Sequence, residues 1–330
     1  MVEDDVLVAE VVRSGLVESR HRGSVVVLSA DGSVAAEAGR TQQPMYPRSA
    51  NKPAQAAAML RLGITLDGEL LALAAASHSG EAFHVAGVRR ILETVGLPES
   101  ALRNTPDWPL DTESRDALIR HGGKPAAITA NCSGKHAAML ATCVVNGWPV
   151  DGYLHQTHPV QEAIRAAVGD LAGEPVAHGG VDGCGAPLFA LTLTGLARMF
   201  RAMALAGAGT AERRTVEAIQ SHPEYTSGTT RDEARLIRAV PGLFGKGGAE
   251  AVYAVAFDDG RSVALKIDDG GSRARPVVMA AVLRELGVDG PALDELISAP
   301  VLGAGRPVGE IRPAATLVDQ VRAGVSAAHA

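Results

Sequence analysis

The sequence predicts an α+β fold whose one antiparallel sheet is built from both ends of the chain. Three observations support this. Apolar runs with hairpin signals occur near the N-terminus, similar runs return after Ala251, and the residues between them carry apolar side chains at helical spacing. Strands at both ends and helices between them suit a sheet with helices packed on it and beside it.

The elements follow in order. Val6–Val12 reads as a strand. Ser24–Ser29 and Ser33–Ala38 flank Asp31-Gly32, a dipeptide that suits a tight hairpin turn. A helix is expected from about Ala50 to Leu62, with Pro53 in the first turn, where backbone N–H groups lack helical partners, and Gly63 as its stop. Further helices are expected at about Leu70–Ala76, Ala82–Val95, Ser133–Val145, Val160–Ala172 and Ala190–Ala206. Ala251–Phe257 and Ser262–Ile267 form a second hairpin around Asp258-Asp259-Gly260, a helix follows near Ala274–Leu286, and the chain ends in a Gly/Pro-rich tail. The segment Thr226-Ser227-Gly228-Thr229-Thr230 reads as a loop. There is no repeat, low-complexity tract or clear linker, so the expectation is one domain over residues 1–330 with a helical subregion at about 64–240.

Composition narrows the function. The 330 residues are 46% hydrophobic and 21% charged, enough for a sizeable core. Aromatics are scarce at 3% and glycines number 37, so the core must pack small side chains closely. The net charge is -6 with no basic patch, which argues against nucleic acid and anionic membranes as partners. The acidic Met1-Val2-Glu3-Asp4-Asp5 does not resemble a secretory signal. No apolar run approaches the ~20 residues of a membrane span. The three cysteines, Cys132, Cys143 and Cys184, do not form a disulfide framework, and the expected compartment is the reducing cytoplasm.

Four segments carry chemistry. The first is Ser49-Ala-Asn-Lys52. The chain holds five lysines against twenty-six arginines. Arginine serves as a surface charge but cannot give up its proton near neutral pH. A lysine kept three residues after a serine fits a need for a neutral amine. On a helix the two side chains share a face, and a buried amine with a lowered pKa can take the serine proton. An N-cap serine beside a surface lysine would give the same letters.

The second segment is Ser77-His78-Ser79-Gly80-Glu81, ahead of a helix. It offers a second serine able to pass a proton to a leaving group, with His78 or His84 as another possible base. The third is Asn131-Cys132-Ser133-Gly134-Lys135-His136, with Ser133 a plausible N-cap. Together with Cys184 in Asp182-Gly183-Cys184-Gly185, the Cys132 thiolate and a neutral Lys135 could hold a zinc ion. Lysine is a rare zinc ligand, and His136 is the alternative from the same turn. The fourth is Phe244-Gly245-Lys246-Gly247-Gly248-Ala249-Glu250, just before a strand, where a lysine and two glycines at the lip of a sheet let a substrate approach backbone.

In this order, the segments resemble the asparaginase II family of the Rhizobium type, which is similar in fold to serine β-lactamases, penicillin-binding proteins and serine-type glutaminases. The resemblance runs from about Ser24 to Arg312 and rests also on Tyr46-Pro47-Arg48, Pro53 and Leu265-Lys266-Ile267-Asp268-Asp269-Gly270. It implies a β-lactamase/transpeptidase-like fold and L-asparagine hydrolysis through a serine acyl-enzyme. It implies Ser49 as nucleophile and Lys52 as its base. A second Ser–Lys pair would be Ser79 with Lys246, with Ser77 and Lys266 as the alternatives. It implies a zinc site at Cys132, Lys135 and Cys184. Substrate-binding roles fall to Arg48, Asp182, Ser77 and Glu250, and the assembly would be a homodimer. The backbone N–H of Ser49 and one near the strand after Lys246 would meet the oxyanion.

Overall fold

The computed structural model describes residues 6–328. The acidic Met1–Asp5 stretch lies outside them. The fold comprises two compact units. Of the described residues, one takes those up to Ala50, Leu191–Ala204 and those from Arg235 to Ala328. The other takes Asn51–Ala190 and Leu205–Ala234.

The first unit is built on an eight-stranded sheet. Its order is Ala299–Gly303, Arg306–Pro313, Val6–Arg13, Leu16–Leu28, Ser262–Ile267, Val252–Phe257 and Leu243–Gly247, with Val34–Ala38 paired to Leu16–Leu28 off this path. Each pairing is antiparallel. Gly23 lies opposite Ile267 and Val27 opposite Val263, so a strand from each end of the chain meets at the centre, as expected. Gly32 and Gly260 take positive φ at 93° and 91° in the two hairpin turns, a region L side chains rarely adopt.

Both faces of the central strands are covered. Val25, Val27, Tyr253, Val255, Val263 and Leu265 pack with Val278 and Val282 of the helix Arg275–Glu285 and with Leu317 and Val321 of the helix Ala315–Ala328. The alternate residues Val26, Leu28, Ala254, Ala256 and Ala264 are equally buried. The helix Leu193–Ala204 packs on these strands. There Ser262 donates to Ala197 O at 3.0 Å, and Phe200 stacks on Phe244 at 5.0 Å. Strands buried on both faces read as unbroken apolar runs, which is why these were visible in the sequence.

Two expectations are corrected. The helix expected over Ala190–Ala206 starts only at Leu193, after the strand Pro187–Thr192. Thr192 marks the switch, because its Oγ1 accepts the Gly195 N–H at 2.8 Å and satisfies one orphan donor of the first turn. The C-terminal tail is ordered: a helix Pro291–Leu296, the hairpin Ala299–Gly303/Arg306–Pro313, and the helix Ala315–Ala328. Its prolines read as breakers. Pro291 sits in a first turn, and Pro300 lies on the sheet's edge strand, both positions that tolerate a missing N–H.

The second unit is helical. Gly68–Ala74 lies at its centre, against Ala82–Glu93, Ser133–Val145, Ala211–Ser221 and Pro223–Thr226. A Cβ on Gly134 would sit 2.3 Å from Leu73 O, so the glycine of the Ser133-Gly134-Lys135 motif is needed for two helices to touch. No helix of the described residues is long and apolar enough to cross a membrane.

Candidate active site

Ser49 lies in a 3₁₀ turn, Arg48–Asn51, that runs straight into the helix Lys52–Arg61. The α-helix therefore opens at Lys52, with Asn51 as its N-cap, rather than at Ala50. Ser49 is half-buried. Its backbone N–H, in the first turn, has no intrahelical acceptor and so is a candidate oxyanion donor. Gly248 presses against this turn: a Cβ there would lie 2.6 Å from Pro47 O and 3.3 Å from Ser49 N. The Gly248 N–H is committed to Val252 O at 2.8 Å, so it is not the second oxyanion donor.

Backbone strain gathers here. Arg48, Glu250 and Ala251 take φ of 51°, 57° and 52°. Non-glycine residues held this way cost of order 1–3 kcal/mol each and cluster at working sites. Arg48 and Glu250 also form an ion pair at 3.6 Å. Lys246 lies inside the edge strand Leu243–Gly247 rather than before a strand, fully buried, and donates to Gly247 O at 2.7 Å. Lys266 is half-buried and donates to Glu250 O and Ile267 O, each at 2.8 Å.

In the helical unit, Lys52 is 2% exposed. Its Nζ donates to Ala76 O at 2.6 Å and to Ser77 Oγ at 3.0 Å, and neither partner carries a charge. Burial, then the Lys135 charge, push its pKa down from 10.5 to about 8, while Cys132, Cys184 and Asp182 oppose the fall. Ser79 is turned elsewhere: its hydroxyl donates to Ser227 O at 2.9 Å. The segment read as a loop from Thr226 thus packs against the Ser77–Glu81 segment. Thr226 O accepts the Ser77 N–H at 3.0 Å, and Glu81 takes the Thr229 N–H at 3.0 Å and its hydroxyl at 2.9 Å. A Cβ on Gly228 would fall 2.0 Å from Ser79 Oγ. Only the glycine in that segment hinted at so close an approach.

Both histidines considered as bases are occupied. His78 Nδ1 accepts the Gly80 N–H at 3.1 Å, which leaves Nε2–H to donate to Ser133 Oγ at 2.8 Å. Ser133 in turn donates to Ile128 O at 2.8 Å. Ser133 is therefore the first residue of its helix and Cys132 is the N-cap. His84 Nδ1 accepts the Glu81 N–H and its Nε2 donates to Glu224 O at 2.9 Å. Burial lowers the pKa of both rings, so they stand neutral as structural links.

Cys132, His136 and Cys184 form one cluster, their ligand atoms all within 4.8 Å of one another. Cys132 and His136 are buried. Lys135 Nζ donates to Cys184 Sγ at 3.4 Å. A hydrogen bond between the thiols, with burial, holds Cys132 protonated, and the same bond, against burial and aided by Lys135, favours the Cys184 thiolate. Burial pulls the Lys135 pKa down, but Cys184, Cys132 and Asp182 more than offset it and keep the amine charged. His136 Nδ1 lies 2.8 Å from Tyr153 OH, while its buried Nε2 has no hydrogen-bond partner. Asp182 sits in the turn that carries Cys184, its O accepting the Gly185 N–H at 2.8 Å. Two sulfurs and an imidazole nitrogen with an unused lone pair fit a tetrahedral, borderline-soft ion such as zinc.

The L-asparaginase II family profile matches residues 9–313. The chain belongs to that family. It is accordingly an amidohydrolase. No curated protein matches it. Among solved structures it is similar to Mglu in its native form, at 15% identity over 82% of this chain and 66% of that one, with a TM-score of 0.43. It is also similar to a β-lactamase from Mycobacterium bovis, at 15% identity over 81% of this chain and 95% of that one, with a TM-score of 0.43. This family member spans about two thirds of the Mglu chain.

Proposed function

We propose that the protein hydrolyses the side-chain amide of L-asparagine, giving L-aspartate and ammonia through an ester on Ser49. The observation that supports this most directly is Lys52. It is a buried amine with a pKa near 8, bonded only to neutral groups and three residues along the chain from Ser49. Ser49 Oγ attacks the amide carbon while uncharged Lys52 takes its proton, a form of help typically worth ~10²–10⁴ in rate. The Ser49 N–H meets the oxyanion, and losing one such donor usually costs ~3 kcal/mol. Ammonia leaves with a proton, water attacks the β-aspartyl ester, and Ser49 regains its hydrogen.

The second serine moves the proton between Lys52 and the leaving nitrogen. Ser77 suits this role because its hydroxyl already touches the Lys52 amine. Ser79 with Lys246 is the alternative relay. Arg48, Glu250 and Asp182 would meet the α-carboxylate and α-amino group of the substrate.

Zinc would be held by Cys132 and Cys184, with His136 as third ligand or Lys135 once the metal has displaced its proton. When bound, it would supply a fixed positive charge that holds the two thiolates in place and shapes the pocket and its affinity for the substrate. Ser49, not the metal, makes the covalent bond. The test is intact-mass spectrometry after a rapid quench with asparagine. An adduct of one aspartyl unit on Ser49, absent in Ser49→Ala, is expected. Full turnover by Ser49→Ala would overturn the covalent mechanism.

A further inference from the structure

Three cysteines lie in the chain, and the structure treats them differently. Cys143 is fully buried mid-helix, where burial raises its thiol pKa to about 11. Such a thiol is inert. The Cys132 and Cys184 sulfurs lie within 4.8 Å of each other. Cys184 is partly exposed and receives the Lys135 ammonium at 3.4 Å. A thiol beside a second thiol, next to a cation and partly exposed, is the arrangement of an oxidisable pair.

We propose that Cys132 and Cys184 form a reversible disulfide when the protein meets a peroxide, and that this bond and a bound metal ion exclude each other. The inference rests on the cysteine cluster and not on which amide the enzyme cleaves. In the first step the Cys184 thiolate attacks one peroxide oxygen. The O–O bond breaks, hydroxide departs from hydrogen peroxide, and Cys184 becomes a sulfenic acid. In the second, the Cys132 sulfur attacks Cys184 sulfur and the S–O bond breaks. The Cys132 proton leaves with the hydroxide as water. Two thiol sulfurs are oxidised, and one peroxide is reduced to two oxygens at the level of water. A dithiol reductant reverses the reaction by thiol–disulfide exchange. A metal ion would occupy the sulfur lone pairs that the first step uses, so it protects the pair. Conversely, the disulfide leaves no thiolate to bind the metal.

The experiment uses the full chain in two forms, chelator-treated and zinc-loaded, each exposed to hydrogen peroxide, then alkylated under denaturing conditions and digested without reductant. The expected result for the chelated form is a linked peptide joining Cys132 to Cys184, with Cys143 alkylated, and full reversal by dithiothreitol. Zinc should slow the reaction by tenfold or more, and a zinc-responsive dye should report its release as the bond forms. Cys132→Ser should abolish the link and leave a dimedone adduct on Cys184. Circular dichroism confirms that the variant is folded. Full alkylation of Cys132 and Cys184 after peroxide, or oxidation confined to Cys143, would each overturn the proposal.

Discussion

If Lys52 must be uncharged to take the Ser49 proton, activity must follow its titration. An ordinary lysine titrates at 10.5, whereas Lys52 is pushed down to about 8, first by burial and then by Lys135. At pH 7 about one Lys52 amine in ten is then uncharged, against about one in three thousand for an ordinary lysine, a gain of about 300-fold. The sign follows from the role. Deprotonation produces the active base, so kcat/KM rises with pH. It should climb about tenfold per pH unit below 7, reach half its limit near pH 8, and flatten above about pH 9. Initial rates of ammonia release from L-asparagine between pH 6 and 10, with circular dichroism to confirm folding at each pH, give the profile. Lys52→Arg keeps the positive charge at every pH in this range and should lose at least the ~10²–10⁴ that a general base supplies. A flat profile from pH 6 to 9, or Lys52→Arg within tenfold of the parent, would refute the neutral-amine argument.

Ser77→Ala should lower kcat by ~10² or more, because it removes the hydroxyl on the Lys52 amine, whereas Ser79→Ala should act mainly on stability by leaving Ser227 O unpaired, at ~1–3 kcal/mol in denaturant titrations. The reverse ranking of kcat would assign the relay to Ser79 and Lys246. Gly248→Ala places a Cβ 2.6 Å from Pro47 O, so the Ser49 turn must shift; kcat should fall by about 10² with less effect on KM, since misplacing a nucleophile by about 1 Å costs that much. Unchanged kinetics in a folded Gly248→Ala would show that the contact does not set Ser49. Chelation of a metal-loaded sample should raise KM more than it lowers kcat; loss of kcat with an intact fold would make the metal part of the chemistry.

Local patterns carried much of this protein. The turns Asp31-Gly32 and Asp258-Asp259-Gly260, and helices such as Ser133–Val145, depend on few neighbours, so their letters suffice. The C-terminal tail carries no element in the sequence reading because proline breaks helices and central strands, and only the fold shows that Pro291 and Pro300 occupy a first turn and an edge strand. The serines at 77 and 79 have nearly the same local sequence. What separates them is long-range: Lys52, 25 residues away from Ser77, and Ser227, 148 residues away from Ser79.

The sequence by itself determined which groups exist and how those close in the chain are spaced: a serine three residues before a lysine, a thiol three residues before an amine, and glycines where backbones must touch. The folded chain decided what those groups are. Burial and the nearby Lys135 charge lower the proton affinity of Lys52 more than Cys132, Cys184 and Asp182 raise it, while the cysteines at 184 and 132 keep Lys135 charged. Proton affinity and ligand geometry depend on desolvation and on neighbours distant in the chain, and neither is written in any single segment.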